Sequence, residues 1–94
     1  MPAETRSVVR VEQLASEDLR KKGVTSWPIW EKETSRFDWT YDSEEQCYFL
    51  KGRVTVRTPQ GAVEIRAGDF VTFPKGLSCV WEVHEPVRKH YRFG

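Results

Sequence analysis

The sequence has 94 residues, a formal net charge of +1, and twelve aromatic residues made up of four Trp, three Tyr and five Phe. This length allows one domain of ordinary size, residues 1–94, and excludes a two-domain enzyme. The nearly balanced charge gives no field that would attract nucleic acid or an anionic membrane surface, so we expect neither as a partner.

The two cysteines, Cys47 and Cys79, are too few for a small secreted domain held together by disulfides. Residues 1–10 contain charges and lack the apolar run of a signal peptide. No stretch approaches the roughly 20 apolar residues of a membrane span. We therefore expect a cytoplasmic protein in which both cysteines are free thiols.

The first quarter of the chain carries the only helix signal. Residues 7–11 form a possible short strand, and Ser16 is a candidate N-cap for a helix of about eight residues. Gly23 suits the left-handed residue that ends it. The apolar residues 27–30 follow, where Pro28 argues against a central strand.

From Phe37 onward, apolar and polar residues alternate with a period of two, which is typical of strands with one buried face. Turn residues separate short segments about every 8 to 12 positions, as in a sandwich or barrel. The sequence therefore predicts an all-β antiparallel barrel over residues 27–94, after an N-terminal strand and short helix in residues 1–26. The predicted strands are residues 37–41, 45–51, 53–57, 62–66, 70–73, 78–83 and 87–93.

Two spaced motifs in this region resemble those of the cupins, which are small jelly-roll barrels. Gly68, Pro74 and Gly76 stand at the spacing of the second cupin motif, with Cys79 at its histidine position. Residues 45–52 match the end of the first motif. The opening pair of histidines of this motif, three or four residues before the Glu, is missing. With a gap of three residues Trp39 and Tyr41 occupy their positions, and with a gap of four Asp38 and Thr40 do.

Five short segments further resemble the small single-domain cupins that are similar to the cupin domain of (S)-ureidoglycine aminohydrolase. The resemblance implies a jelly-roll fold and suggests ureide chemistry. Because cupins often pair through their sheets, it also implies a possible homodimer. The segments are residues 27–31, 37–41, 45–52, 68–81 and 89–91.

The resemblance also bears on a metal site. Metal-binding cupins use three imidazoles and a carboxylate, and three of those four donors are absent here, so we expect no such centre and no cofactor. A zinc site built from Glu45, Cys47 and Cys79 remains an alternative. The other interpretation of both cysteines is that they are small buried hydrophobic residues.

If Glu45 faces the barrel interior, as the family's carboxylate does, the period of two predicts that alternate side chains on the same strands also face inward. The predicted interior then holds one carboxylate, two thiols and several rings, which either stack on a planar ligand or fill the barrel. These side chains are Trp39, Tyr41, Glu45, Cys47, Phe49, Cys79, Trp81 and Val83.

Glu45 is the main candidate for chemistry. A carboxylate among rings must be hydrogen-bonded, ion-paired or protonated, and Tyr41 and Lys75 are the candidate partners. If burial dominates, the pKa of Glu45 rises and it can act as a general acid or base. A purely structural carboxylate, bonded to a backbone amide or a tyrosine, is the alternative. A nucleophilic Cys79 would need a cation or base nearby.

Three functions follow from this interior. The first is a small-molecule enzyme for proton transfer, such as an isomerase, dehydratase or hydrolase. The others are a non-catalytic module that binds or senses a small ligand, and a structural dimerisation barrel. The candidate catalytic residues are Glu45, Tyr41 and Cys79, and the candidate ligand-binding residues are Trp39, Cys47, Phe49, Trp81 and Lys75.

Two further groups are predicted to lie outside the barrel. We expect Trp27 and Trp30 to pack on its outer surface or against a partner chain. The basic residues near the C-terminus are expected to form a solvated strand face, since glutamates accompany them; they are Arg88, Lys89, His90 and Arg92.

Overall fold

The computed structural model describes residues 9–94. A short strand, β1 (Arg10–Glu12), precedes one helix, α1 (Ser16–Lys22), and a single 3-10 turn, Val24–Ser26. The predicted first strand thus begins at Arg10, and its residues 7 and 8 lie outside the described part of the chain.

The ends of α1 agree only partly with the sequence prediction. The N-cap is Ala15, not Ser16, and no side chain caps the helix there. Gly23 ends the helix with φ of 70° and donates its backbone N–H to the carbonyl of Arg20. Glycine adopts this left-handed conformation without the steric cost that a Cβ brings, as predicted.

Two long strands replace four of the shorter predicted ones. β4 spans two predicted segments, and so does β7, which passes through Pro86 without a break. The remaining strands are short. The six strands after α1 are β2 (Ile29–Lys32), β3 (Ser35–Thr40), β4 (Glu45–Thr58), β5 (Gly61–Arg66), β6 (Phe70–Phe73) and β7 (Ser78–Phe93).

Gly52 explains why β4 bends where a break is predicted. Its φ is 106°, and the β4–β7 register shifts on both sides of it. A Cβ at this position would lie 2.5 Å from the carbonyl oxygen of Pro86. Such irregularities turn a strand sharply without ending its pairing.

All strand pairings within residues 9–94 are antiparallel and belong to one seven-stranded sheet, in which β4 and β7 pair with each other and with most of the other strands. The first half of β4 pairs with β6 and its second half with β5. Likewise, β3 pairs with the first half of β7, and β2 with its second half. The result is the predicted all-β antiparallel jelly-roll barrel, with strand order β1-β6-β4-β7-β2, to which β3 is added by pairing with β7 and β5 by pairing with β4.

The main core lies inside this barrel, and a smaller cluster lies beneath α1. Trp27 belongs to the smaller cluster with Val24 and Phe70, so it packs outside the barrel as predicted. Trp30 does not: it packs against the main core, with its ring centroid 5.7 Å from that of Trp81. Among residues 9–94, no helix is long and apolar enough to cross a membrane.

Candidate functional site

A cavity of about 470 Å³ is lined by residues of β2, β3, β7 and the start of β4. Seven aromatic rings make up most of its wall. Four charged side chains complete it: Glu45 and Lys89 among the buried residues, and Lys32 and Asp38 at exposed positions. The rings are those of Trp30, Phe37, Trp39, Tyr41, Trp81, Tyr91 and Phe93.

The cavity wall contains a buried ion pair between Glu45, the first residue of β4, and Lys89 of β7. Lys89 Nζ donates to Glu45 Oε2 at 3.0 Å, and the two side chains are only 6% and 4% exposed. Lys89 Nζ also lies 3.3 Å from Cys47 Sγ. The buried carboxylate is therefore ion-paired, and its partner is neither of the predicted ones.

Four aromatic rings surround the Lys89 ammonium group. Its Nζ lies 4.8 Å from the ring centroid of Trp81, 5.0 Å from Trp30, 5.6 Å from Phe49 and 5.8 Å from Phe73. A cation at these distances is attracted by the electron-rich ring faces, most strongly when it is desolvated. The rings and the carboxylate together offset the cost of burying this charge.

The prediction of a solvated basic face is wrong for two of its four residues. Lys89 is 3% exposed, and His90 is 7% exposed with its Nδ1 2.9 Å from the carbonyl oxygen of Trp27. Only Arg88 and Arg92 are exposed. The alternation of Val87, Lys89 and Tyr91 in the sequence places Lys89 on the inward face, which is the signal that could have identified it.

Lys75, the other candidate partner of Glu45, does not pair with it, because Lys89 does. It is exposed in the turn between β6 and β7 and is not part of the cavity wall. The position of a turn residue relative to the barrel depends on the course of the turn, which the sequence pattern does not give.

Tyr41 lies directly after β3 and is held in place by both its backbone and its ring. Its N–H donates to the carbonyl of Leu77, and its carbonyl accepts from the N–H of Gly76. Its ring stacks on Phe73 with centroids 4.8 Å apart. Burial, followed by the nearby charge of Glu45, raises the pKa of the Tyr41 phenol far above its usual range. Tyr41 is therefore a hydrogen-bond donor at neutral pH.

Both thiols are buried and protonated at neutral pH. Burial is the main cause that raises the pKa of Cys47 well above its usual range, and it raises the pKa of Cys79 to about 11. Cys79 Sγ lies 3.6 Å from the carbonyl oxygen of Trp39. Since the thiolate is the nucleophilic form, this environment does not activate Cys79.

The predicted interior residues divide into a cavity wall and a layer beneath it. Trp81 lines the cavity; its buried Nε1–H makes no hydrogen bond of ordinary geometry within residues 9–94, although its proximity lowers the pKa of both Tyr41 and Cys79. Cys47 and Phe49 are fully buried and belong to the layer beneath the lining. Trp39 lines the cavity but is 47% exposed, so it differs from the fully inward position predicted for it.

A zinc site at Glu45, Cys47 and Cys79 does not fit this arrangement. The Lys89 ammonium contacts both the carboxylate and the Cys47 sulfur, where a metal would need to bind them. Within residues 9–94, no group of three or more His, Cys, Asp and Glu side chains is placed to hold a metal ion. The charge beside Glu45 is thus the chain's own ammonium group.

Comparison with known families identifies this barrel. The model of the EutQ-like cupin domain family matches residues 19–91. The chain belongs to that family. No protein of curated function matches it.

Solved structures give the same assignment for this EutQ-like cupin. A DUF861 family protein from Thermotoga maritima is 53% identical, with a TM-score of 0.90, over 93% of this chain and 100% of that one. A putative ethanolamine utilization protein Q from Salmonella typhimurium is 27% identical, with a TM-score of 0.63, over 88% of this chain and 66% of that one. The EutQ protein of Clostridium difficile, 23% identical with a TM-score of 0.63, shares the fold.

Proposed function

We propose that this cupin is a small-molecule enzyme that transfers protons, with Glu45 as its general acid or base. Isomerisation, dehydration and hydrolytic deamination are the reaction types that this chemistry serves. The observation that carries the proposal is a buried carboxylate at the wall of a ring-lined cavity, ion-paired to Lys89 at 3.0 Å.

The cavity favours this function over a structural barrel. A volume of about 470 Å³ is in the range of small-molecule sites, whereas a barrel serving only for dimerisation needs no such space. The wall also combines apolar rings with a few polar groups, which is the usual composition of small-molecule sites.

Lys89 supports the role of Glu45 in two ways. Its hydrogen bond fixes the carboxylate, which general acid–base catalysis requires within reach of the transferred proton. The bond uses Oε2, so Oε1 is the oxygen that we assign to proton transfer. Tyr41 acts as a protonated hydrogen-bonding partner of the ligand, and Cys79 has no catalytic part in this proposal.

The ureide chemistry suggested by the motif resemblance is one case of such proton transfer. The resemblance to the cupin domain of (S)-ureidoglycine aminohydrolase extends over five segments of the sequence but offers no imidazoles for a metal centre. We therefore assign the reaction class from the carboxylate and its surroundings.

Proton exchange provides a direct test. Acetophenone, an uncharged ring compound with exchangeable methyl protons, is incubated with the protein in D₂O, and loss of the methyl signal is followed by proton NMR. We expect exchange faster than the buffer rate with the unaltered protein, and no acceleration with Glu45→Gln. Glu44→Gln, an exposed neighbour, is the matched control and should retain the activity.

The same measurement separates an enzyme from a binding module. Equal exchange rates for the unaltered protein and Glu45→Gln would remove the acid–base role. Binding of acetophenone without any acceleration of exchange would favour the non-catalytic module, whose cavity holds a ligand and breaks no bond.

A further inference from the structure

We propose that the ligand of this cavity is an uncharged carbonyl compound with a planar apolar body, whose carbonyl oxygen faces Lys89 and whose transferable proton faces Glu45. The inference rests on the proposed function and names its substrate class. Three properties of the cavity carry it: the shape and polarity of the wall, the balance of charges, and the excess of hydrogen-bond donors.

The wall selects for a planar apolar body. Seven of its eleven side chains are aromatic. Phe37 and Trp81 lie nearly parallel at 18°, with centroids 5.9 Å apart, and Trp30 meets Trp81 edge-on at 75°. Aromatic faces and edges in these orientations favour stacking and edge-to-face contacts with a flat ligand.

The formal charges of the wall sum to zero. Glu45 and Lys89 neutralise each other inside, and Lys32 and Asp38 are the two oppositely charged residues at exposed positions. An anionic ligand near Lys89 would also approach Glu45, and a cationic ligand near Glu45 would approach Lys89. Because a charge left without a partner in a desolvated site is costly, the pair selects for an uncharged, polar head group.

The hydrogen-bond donors at the cavity predict that the ligand carries an acceptor. Lys89 has three N–H donors, and Glu45 and Cys47 account for two. Trp81 Nε1–H already interacts with Tyr41 and Cys79, since it lowers the pKa of both. The third N–H of Lys89 and the Tyr41 phenol, which keeps its proton at neutral pH, are therefore the two donors left for a ligand. A carbonyl oxygen accepts two hydrogen bonds and therefore suits donors that have no acceptor in the protein.

The placement of Lys89 and Glu45 suits enolisation. Glu45 takes a proton from the carbon next to the carbonyl group; the electrons of the broken C–H bond form a C=C bond, and those of the C=O double bond move onto oxygen. The Lys89 ammonium stabilises the resulting enolate oxygen. Return of the proton from Glu45 to the opposite face of the same carbon, or to the far carbon of a conjugated C=C bond in a ligand that has one, gives an isomer, so no co-reactant is consumed.

Binding selectivity tests the inference independently of turnover. Acetophenone and ethylbenzene have similar ring and side-chain size, and only the first carries a carbonyl group. We expect acetophenone to bind at least about tenfold more tightly by NMR titration, because a hydrogen bond from a charged donor is worth roughly 1.5–3 kcal/mol. Benzoate, the anionic probe, should bind more weakly than acetophenone.

Matched variants identify the groups responsible. The double variant Glu45→Gln, Lys89→Met removes both charges without leaving one unpaired, and it should bind acetophenone no better than ethylbenzene. Lys75→Met, which removes an exposed ammonium outside the cavity, should retain the preference.

Outcomes for the ligand class and for catalysis are distinguishable. Equal affinity for acetophenone and ethylbenzene, tighter binding of benzoate, or no binding of acetophenone would overturn the ligand class. Selective acetophenone binding with no Glu45-dependent exchange would uphold the ligand class and overturn the proposed catalytic function.

Discussion

The inner and outer faces of β4 and β7 carry the same kinds of charge in opposite environments. Inside, Glu45 and Lys89 are almost fully buried and form one bond at 3.0 Å. Outside, Glu82 accepts from Arg57 at 2.9 Å and lies 3.6 Å from Arg36, with both arginines more than half exposed. The geometry of the two sets is similar, so the difference lies in how much solvent each one loses.

The loss of hydration on folding distinguishes the buried Glu45–Lys89 pair from the ion pairs on the outer face. An exposed ion pair exchanges one solvated state for another and contributes little to folding. A buried pair loses its hydration, and an apolar pair of similar size would often stabilise the fold as well or better. The presence of a buried Glu45–Lys89 pair, where an apolar pair would serve stability as well, therefore supports our hypothesis that the pair serves binding or catalysis.

The largest predicted effect comes from breaking the inner pair on one side only. Lys89→Met leaves Glu45 without its partner, and we expect the free energy of unfolding to fall by about 3–5 kcal/mol. Urea denaturation at pH 7 measures this loss. The double variant Glu45→Gln, Lys89→Met should recover most of it; equal losses in the single and double variants would mean that packing of the lysine stem, not the charge, is responsible.

The buried thiol beside this pair predicts an alkaline loss of stability. The folded-state pKa of Cys47 is raised far above the unfolded value of about 9, so the unfolded chain releases a proton first as the pH rises. Cys47 alone should lower the free energy of unfolding by about 1 kcal/mol between pH 8 and pH 10. Cys79 and Tyr41 act in the same direction.

Urea denaturation at several pH values, with Cys47→Ala beside the unaltered chain, measures the contribution of this thiol. The variant should show a shallower decline between pH 8 and pH 10, whatever its stability at pH 7. A decline of unchanged slope would show that Cys47 does not ionise on unfolding in this range.

The sequence pattern is informative about the inner face because alternation and burial are linked in a strand. It correctly predicts that Glu45, Cys47 and Trp81 are buried, since each lies in register with apolar neighbours. It misses Lys89, whose place in the same alternation is outweighed by the general tendency of lysine to be solvated. Only the pairing of β4 with β7, a long-range contact, brings its ammonium to the carboxylate.

The pattern also misjudges where strands end. Gly52 and Pro86 are residue types typical of strand breaks, and each lies in a gap between two predicted strands, 45–51 and 53–57 for Gly52 and 78–83 and 87–93 for Pro86. In the fold they face each other across the β4–β7 seam, where Gly52 leaves room for the carbonyl of Pro86. Glycine and proline usually end a strand. Here each lies opposite an irregularity in the neighbouring strand, and β4 and β7 bend at this point without ending.

The smallest predicted effect lies on the outer face. The hydrogen bond from Arg57 lowers the pKa of Glu82, so the stabilisation from this carboxylate is present at neutral pH and is lost as the pH falls through the lowered value. Arg57 is more than half exposed and the Glu82 side chain is 19% exposed, and Arg36 remains near Glu82 when Arg57 is replaced. We expect Arg57→Gln to leave the urea midpoint at pH 7 almost unchanged, with any difference vanishing at high salt because exposed charges are screened.

A loss of stability comparable with that of Lys89→Met, persisting in salt, would contradict the distinction between the two faces. It would show that solvent exposure does not govern what these ion pairs contribute to the free energy of unfolding.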